Sequence, residues 1–480
     1  VTEHRPSHLG PAGAGGPAPG VTLDVPVGEP HLAHGLRVRH LTMMGLGSAI
    51  GAGLFIGTGA GISIAGPAIL LSYMVAGLIV VLVMRMLAEM ASALPSSGSF
   101  STYAEAGIGR WAGFTVGWVY WFTLIMVLGV EITASSAIVH SWLPAVPEWL
   151  VAVVLIAAFA AVNLRGVRSF GEFEYWFAAL KVAVIVVFLV VGTLLVAGLL
   201  PDREPAGLTH LLGDGGFAPE GLAGIAAGLL VVVFAFGGIE IITIAAAESD
   251  DPQRSIARAA RTIVWRILLF YIGSVAIMVT VLPWTSEELV AGPFVAVLGL
   301  AGIPALPTIM EVVVVVALMS AFNANLYGTS RMAYSLAERG DGPPALLRVS
   351  RAGVPVTSVL VSTGFALVSV LLNWWLPQGL LGILLSAVGA SLIAVWLVIA
   401  VAQIRLRPRL EAEGREMTVR MWGHPWLSWV TVALLVGFVL LMLSDAAART
   451  QAFATTAFVA LVAAVYAVRE AVRRRATIAD

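Results

Sequence analysis

Three side chains able to carry charge lie where the surrounding sequence is otherwise apolar: Glu131, Lys181 and Glu240. An ionisable group deep in such a segment is costly unless it faces a protein interior or a water-filled path, so each marks an ion or substrate route. Lys181 is the single lysine among 27 basic residues. It sits about ten residues into its segment, roughly 15 Å from the segment end, too deep for easy snorkelling of a four-carbon stem. A group placed there can gain and lose a proton in the physiological range, which is what a proton-coupled carrier requires. The plainer reading is a permanently paired structural lysine, with Glu131 or Glu240 as its partner. Glu131 and Glu240 can each meet a ligand ammonium, relay protons, or serve structure alone.

A second kind of chemistry comes from the backbone. The run Gly47-Ser48-Ala49-Ile50-Gly51-Ala52-Gly53 places three glycines in seven residues of an apolar segment, where each glycine costs about 1 kcal/mol relative to alanine in a helix. A helix broken here starts again with unpaired N–H groups and a positive dipole end, a seat for a carboxylate. Gly51 and Gly53 let a ligand approach that backbone directly. A second interruption, Phe234-Ala235-Phe236-Gly237-Gly238-Ile239-Glu240, lies about five segments later. The break from Phe236 to Gly238 exposes carbonyls suited to an ammonium, so the two breaks together describe a zwitterion site near the bilayer midplane. Phe234 and Phe236 flank the second break and can close over a ligand. The competing explanation for the glycines is close helix packing.

The elements that must position these groups are membrane helices. The chain has 480 residues, 59% of them hydrophobic and 11% charged, with a mean hydropathy of +0.94, a composition for a polytopic, all-α membrane protein. Twelve apolar segments are long enough to cross about 30 Å of hydrocarbon: 41–64, 67–94, 112–141, 147–164, 174–199, 219–247, 260–283, 305–337, 355–375, 379–403, 426–444 and 450–469. The first 36 residues, rich in Gly, Pro and Ala, are expected to form a disordered tail, the transporter domain to run over 37–470, and a short tail to follow from 471 to 480. With the N-terminus inside, only Arg203 and Arg449 fall on the outer side. The positive-inside rule therefore places both termini in the cytoplasm of a multi-pass cell-membrane protein.

Other chemistries find no support. The chain has no cysteine, no ligand-spaced histidine pair for a metal, no phosphate-cradling glycine loop, and no nucleophile, base and orienting group together. No cofactor, metal, nucleic-acid partner or enzymatic activity is expected. Arg85 and Glu89, four apart, are expected to pair on one helix face.

The stretches "RHLTMMGLGSAIGAGLFIGTG", "GSFSTYAEAGIGRWAGFTVGW", "GEFEYWFAALK" and "FAFGGIEIITIAAAESDDPQRSI" resemble the amino acid transporter family of the amino acid-polyamine-organocation superfamily. Within that family, "VHSWLPAVPEWL" and "RLEAEGREMTVRMWGHPWLSW" look most like bacterial GABA permeases. The resemblance implies a LeuT-type fold of twelve transmembrane helices, with inverted repeats over about 41–199 and 219–403 and two added helices over 426–469. It implies that Ala49 offers a carbonyl to the substrate ammonium, that the amides of Ala52 and Gly53 hold the carboxylate, and that Ala235 supplies a further carbonyl. Phe234 and Phe236 would line or gate the pocket. Lys181 would reach toward the first span in place of the sodium held by other relatives. The run "GSAIGAGLF" differs from the "GVIGASLF" of GABA permeases, so the pocket floor is not theirs. The expected function is secondary, proton-coupled symport of an amino acid or GABA, with amino acid/amine exchange or ligand sensing without flux as alternatives.

Overall fold

The computed structural model describes residues 36, 38–47, 50–200, 205, 208–213, 215–375 and 380–479. The expected N-terminal tail lies outside them except for Leu36, which is buried and exchanges backbone hydrogen bonds with Glu248 and Asp250 at 3.4 Å each.

The described chain is helical. Its first half comprises α1 (Val38–Gly47), α2 (Thr58–Ala65), α3 (Ile69–Ala93), the short α4 (Ser99–Gly107), α5 (Arg110–Trp142), α6 (Glu148–Arg165) and α7 (Val167–Val196). After α8 (Thr209–Leu212) come α9 (Gly221–Ala235), α10 (Ile241–Ala246), α11 (Pro252–Arg266), α12 (Gly273–Val281), α13 (Glu287–Ala291) and α14 (Pro293–Gly299). The chain ends with α15 (Leu306–Glu338), α16 (Val356–Trp375), α17 (Leu380–Ala412), α18 (Trp426–Met442) and α19 (Ala446–Ala479). Residues 471–479, expected as part of a tail, continue α19 as helix.

Eight described helical runs are long and apolar enough to cross a membrane, and three shorter ones, Gly221–Ala235, Val356–Leu372 and Trp426–Met442, are apolar as well. The chain is thus a multi-pass membrane protein. The longest run, Gly53–Ala93, is interrupted at Gly66, whose φ of 61° is left-handed and suits glycine alone. A Cβ there would also stand 2.5 Å from the Pro219 ring.

Helix length follows from apolar content, but placement follows from packing. α15 and α5 are buried along most of their length and touch each other at the centre of one continuous core. α19 sits outside, with mostly exposed apolar side chains, as expected of a helix that borders lipid.

Both predicted interruptions appear. α1 ends at Gly47, and helix resumes around Ala52 with a π-helical turn over Gly53–Gly57. α9 ends at Ala235, and the turn before α10 contains Gly238 with φ 90°. A second π-helical turn, Ile267–Ile272, joins α11 to α12. Such turns widen a helix locally and recur where side chains must be re-aimed toward a site.

The expected Arg85–Glu89 pair does not form. Buried Glu89 pairs instead with Arg407 of α17 at 3.1 Å and accepts from Gln403 at 2.6 Å and from the Met421 amide. Arg85 donates to the Arg420 carbonyl at 2.9 Å and lies over the Trp422 ring. The local four-residue rule loses because Glu89 points inward while the Arg85 guanidinium can reach the surface. Replacing Glu89 with Ala takes their acceptor from Gln403 and the Met421 amide, while Arg407 keeps Glu411 at 2.9 Å. It is expected to cost about 1–3 kcal/mol, read as a lowered thermal transition in detergent with unchanged substrate preference in the protein that remains folded.

Candidate functional site

The α1–α2 break is surrounded by three other helices, and each approach is close. A Cβ placed on Gly51 would lie 2.5 Å from a Glu131 carboxylate oxygen and 2.6 Å from the Ala321 methyl of α15. A Cβ on Gly53 would lie 2.4 Å from the Ala235 Cα at the end of α9. The two helix breaks thus meet backbone to backbone. The sequence reading gave Gly53 room for a ligand to reach its amide; the space a side chain would need at that position is taken by Ala235 itself.

The Ala52 amide has a partner from within the protein. It donates to the Glu131 carboxylate of α5, at 3.1 Å to one oxygen and 3.2 Å to the other. Glu131 is buried. A carboxylate therefore does sit at the restarted helix, as the dipole argument requires, and it is a side chain. Ala49 and Ser48 lie outside the described residues.

Lys181 is fully buried at the fifteenth of the 30 residues of α7. Its ammonium lies 3.9 Å from Glu174, two turns earlier on the same helix face, and Glu131 stands within its electrostatic reach. Glu174 accepts from the Ser320 hydroxyl of α15 at 2.9 and 3.0 Å. The partner expected for Lys181 was Glu131 or Glu240. Glu174 is the ion pair the structure adds, and Glu240 belongs elsewhere. The fifth apolar segment starts at 174, so Glu174 stands at its very edge and carries no depth signal in the sequence. The signal was its seven-residue spacing from Lys181, which returns to the same face of a helix.

Glu240 follows the second break and is buried. Neither of its carboxylate oxygens completes a hydrogen bond of ordinary geometry, although Tyr120 and Arg266 border it. A buried carboxylate in that condition is a candidate functional group.

Phe234 and Phe236 are buried beside this break rather than turned to lipid. Phe236 packs at 4.8 Å from the Tyr271 ring and 6.0 Å from the Tyr73 ring. The π-helical turn after α11 presents Tyr271, and Tyr73 comes from α3. The Tyr73 hydroxyl lies 3.0 Å from Thr58, which donates to the Leu54 carbonyl at 2.6 Å just past the first break. An aromatic cluster is thereby tied to both interruptions. Among the described residues, no group of three or more His, Asp or Glu side chains could hold a metal ion.

A profile of amino acid permeases matches residues 40–479. The chain is 54% identical over 426 residues to the aromatic amino acid transport protein AroP of Corynebacterium glutamicum, covering 88% of this chain and 92% of that protein. It is 44% identical to the gamma-aminobutyric acid permease of Bacillus subtilis, over 85% of this chain and 87% of the relative. Identity to the gamma-aminobutyric acid permease of Escherichia coli is 43%, over 89% and 92%.

Proposed function

Because the chain belongs to the amino acid permease family, whose matched members are transporters rather than enzymes, we propose that it is a proton-coupled symporter carrying an α-amino acid into the cytoplasm. The single observation that carries this reading is the Ala52 amide held by the Glu131 carboxylate between two broken helices. An amide that donates to one carboxylate at a helix restart can donate to another, so a substrate carboxylate takes this place by displacing Glu131. The substrate ammonium then meets carbonyls of the two breaks, at Ala49 and Ala235, with Phe234 and Phe236 closing over it and Gly238 permitting the turn.

Glu131, once displaced, stands near Lys181. Lys181 and Glu174 form a buried pair between α7 and α15, so a proton entering this group alters the charge balance that links the first break to α7. Substrate binding and protonation become coupled when both favour the same arrangement of these helices. Glu240 offers a second proton-accepting position beside the other break.

The aromatic cluster of Tyr73, Phe236 and Tyr271 favours an aromatic substrate side chain, since ring pairs add about 0.5–1.5 kcal/mol beyond burial. The Corynebacterium relative is an aromatic amino acid transport protein. We read twelve spans by counting Gly53–Ala93 as two, divided at Gly66, and adding the three shorter apolar helices Gly221–Ala235, Val356–Leu372 and Trp426–Met442 to the other seven long runs. We read these as a LeuT-type arrangement with inverted repeats and both termini cytoplasmic.

The test is uptake into proteoliposomes of labelled phenylalanine, tyrosine, tryptophan and GABA, under an inward proton gradient without sodium. Concentrative uptake of the aromatic amino acids, abolished by a protonophore, is expected. Uptake driven only by internal substrate would make the protein an exchanger, and binding without flux a sensor.

Glu131→Gln keeps one acceptor for the Ala52 amide but removes the charge. It is expected to change relative uptake of neutral, cationic and GABA-like substrates on the order of tenfold, from an interaction of about 1.5–3 kcal/mol. Unchanged selectivity in reduced amounts of protein would assign Glu131 to structure.

A further inference from the structure

We propose that a groove between α5 and α19, on the arginine-rich face of the bundle, binds an anionic phospholipid. The groove holds about 660 Å³ and is lined almost wholly by apolar side chains. On α5, Phe114, Trp118 and Phe122 recur every four residues and so form one stripe. On α19, Phe458, Val462 and Val465 face them, with Phe122 and Phe458 rings 4.7 Å apart. The stripe from Phe114 to Phe122 runs about 12 Å at the helical rise, a slot for a length of acyl chain.

At one end the same face of α19 continues into Arg469 and Arg473. Both donate to the Gly340 carbonyl, and Arg469 also lies 3.6 Å from Asp341. Arg110, at the start of α5, reaches the Arg339 carbonyl at 3.1 Å and Asp341 at 3.5 Å. Arg339 is answered by Glu105 at 2.9 Å. Arg110 and Arg469 thus share one carboxylate, Asp341, which is itself buried. The Arg110 and Arg469 side chains stay 46% and 30% exposed, so their charge remains reachable from the membrane surface.

An acyl slot that ends in surplus positive charge is complementary to a lipid with a negative headgroup rather than to a zwitterionic one. Basic pockets between membrane helices select anionic headgroups on this principle, and each arginine near such a headgroup strengthens binding about fivefold. The exposed apolar face of α19 is accounted for in the same way.

The experiment is native mass spectrometry of the delipidated full-length protein, titrated with dioleoyl-phosphatidylglycerol or dioleoyl-phosphatidylcholine. Phosphatidylglycerol is expected to bind on the order of tenfold more tightly, as surplus arginine charge dictates. Arg110→Gln should lower that preference about fivefold. Val462→Trp, which fills the slot and leaves every arginine in place, should reduce retention of phosphatidylglycerol in protein whose helicity is unchanged. Equal binding of the two lipids, or a phosphatidylglycerol preference indifferent to both variants, overturns the proposal. So does loss of a dimer, instead of a lipid adduct, on Val462→Trp, which would make the groove a contact between copies.

Discussion

Lys181→Ala is expected to end concentrative uptake, leaving at most downhill flux that no longer responds to a pH gradient. The residue lies at the middle of α7, fully buried, within 3.9 Å of Glu174 and within reach of Glu131. Removing it leaves two buried carboxylates without their cation, and breaking a buried pair in this way costs about 3–5 kcal/mol. Loss of transport by itself would therefore not separate coupling from folding. The double variant Lys181→Ala with Glu174→Gln restores the local charge balance and should recover expression and thermal stability. It should not recover coupling, because no group that exchanges a proton has been returned beside Glu131. Proteoliposomes of the double variant that still concentrate substrate under an inward proton gradient, without sodium, would remove Lys181 from the coupling mechanism.

Gly53→Ala is expected to lower transport more than tenfold, and Gly57→Ala, one turn further on, to leave it near normal. The contrast follows from what each new methyl would meet. At position 53 it would stand 2.4 Å from the Ala235 Cα and 3.1 Å from its nitrogen. Those are backbone atoms of the second break and have no rotamer by which to yield. At position 57 the nearest atom is 3.6 Å away, an ordinary contact. Overpacking costs about 1–3 kcal/mol and sometimes more, and here it separates the two interruptions that form the proposed site. Uptake and thermal unfolding measured on both variants decide the matter. A Gly53→Ala protein with native affinity and stability would mean that the two breaks do not need this contact.

Much of the site was legible in the order of residues. Glycine spacing located the first interruption and Phe234 to Glu240 the second, because a helix in lipid cannot break without a reason for its freed backbone groups. The depth of Lys181, Glu131 and Glu240 was legible for a similar reason, since charge is too costly in an apolar segment to be incidental. What was not legible was partnership. Arg85 and Glu89 have the spacing of a helical pair, yet Glu89 takes Arg407, more than 300 residues away. Glu174 stands seven residues before Lys181, but that spacing has meaning only once both are known to lie within the helix and to face α15. The resemblance to GABA permeases stands at 43–44% identity, and the aromatic transporter of Corynebacterium shares 54%. The rings of Tyr73, Tyr271 and Phe236 meet from three separate segments.

By itself the sequence determined that this protein crosses a membrane many times and where its helices give way, because hydropathy, glycine and the cost of unsatisfied backbone act over short stretches of chain. Only the tertiary structure decided that the carboxylate at the Ala52 amide is Glu131, that Gly53 is reserved for Ala235, and that Lys181 answers to Glu174. Those choices depend on which helices lie side by side, and in lipid that is settled by close packing and the pairing of buried polar groups across spans, neither of which leaves a local pattern in one segment.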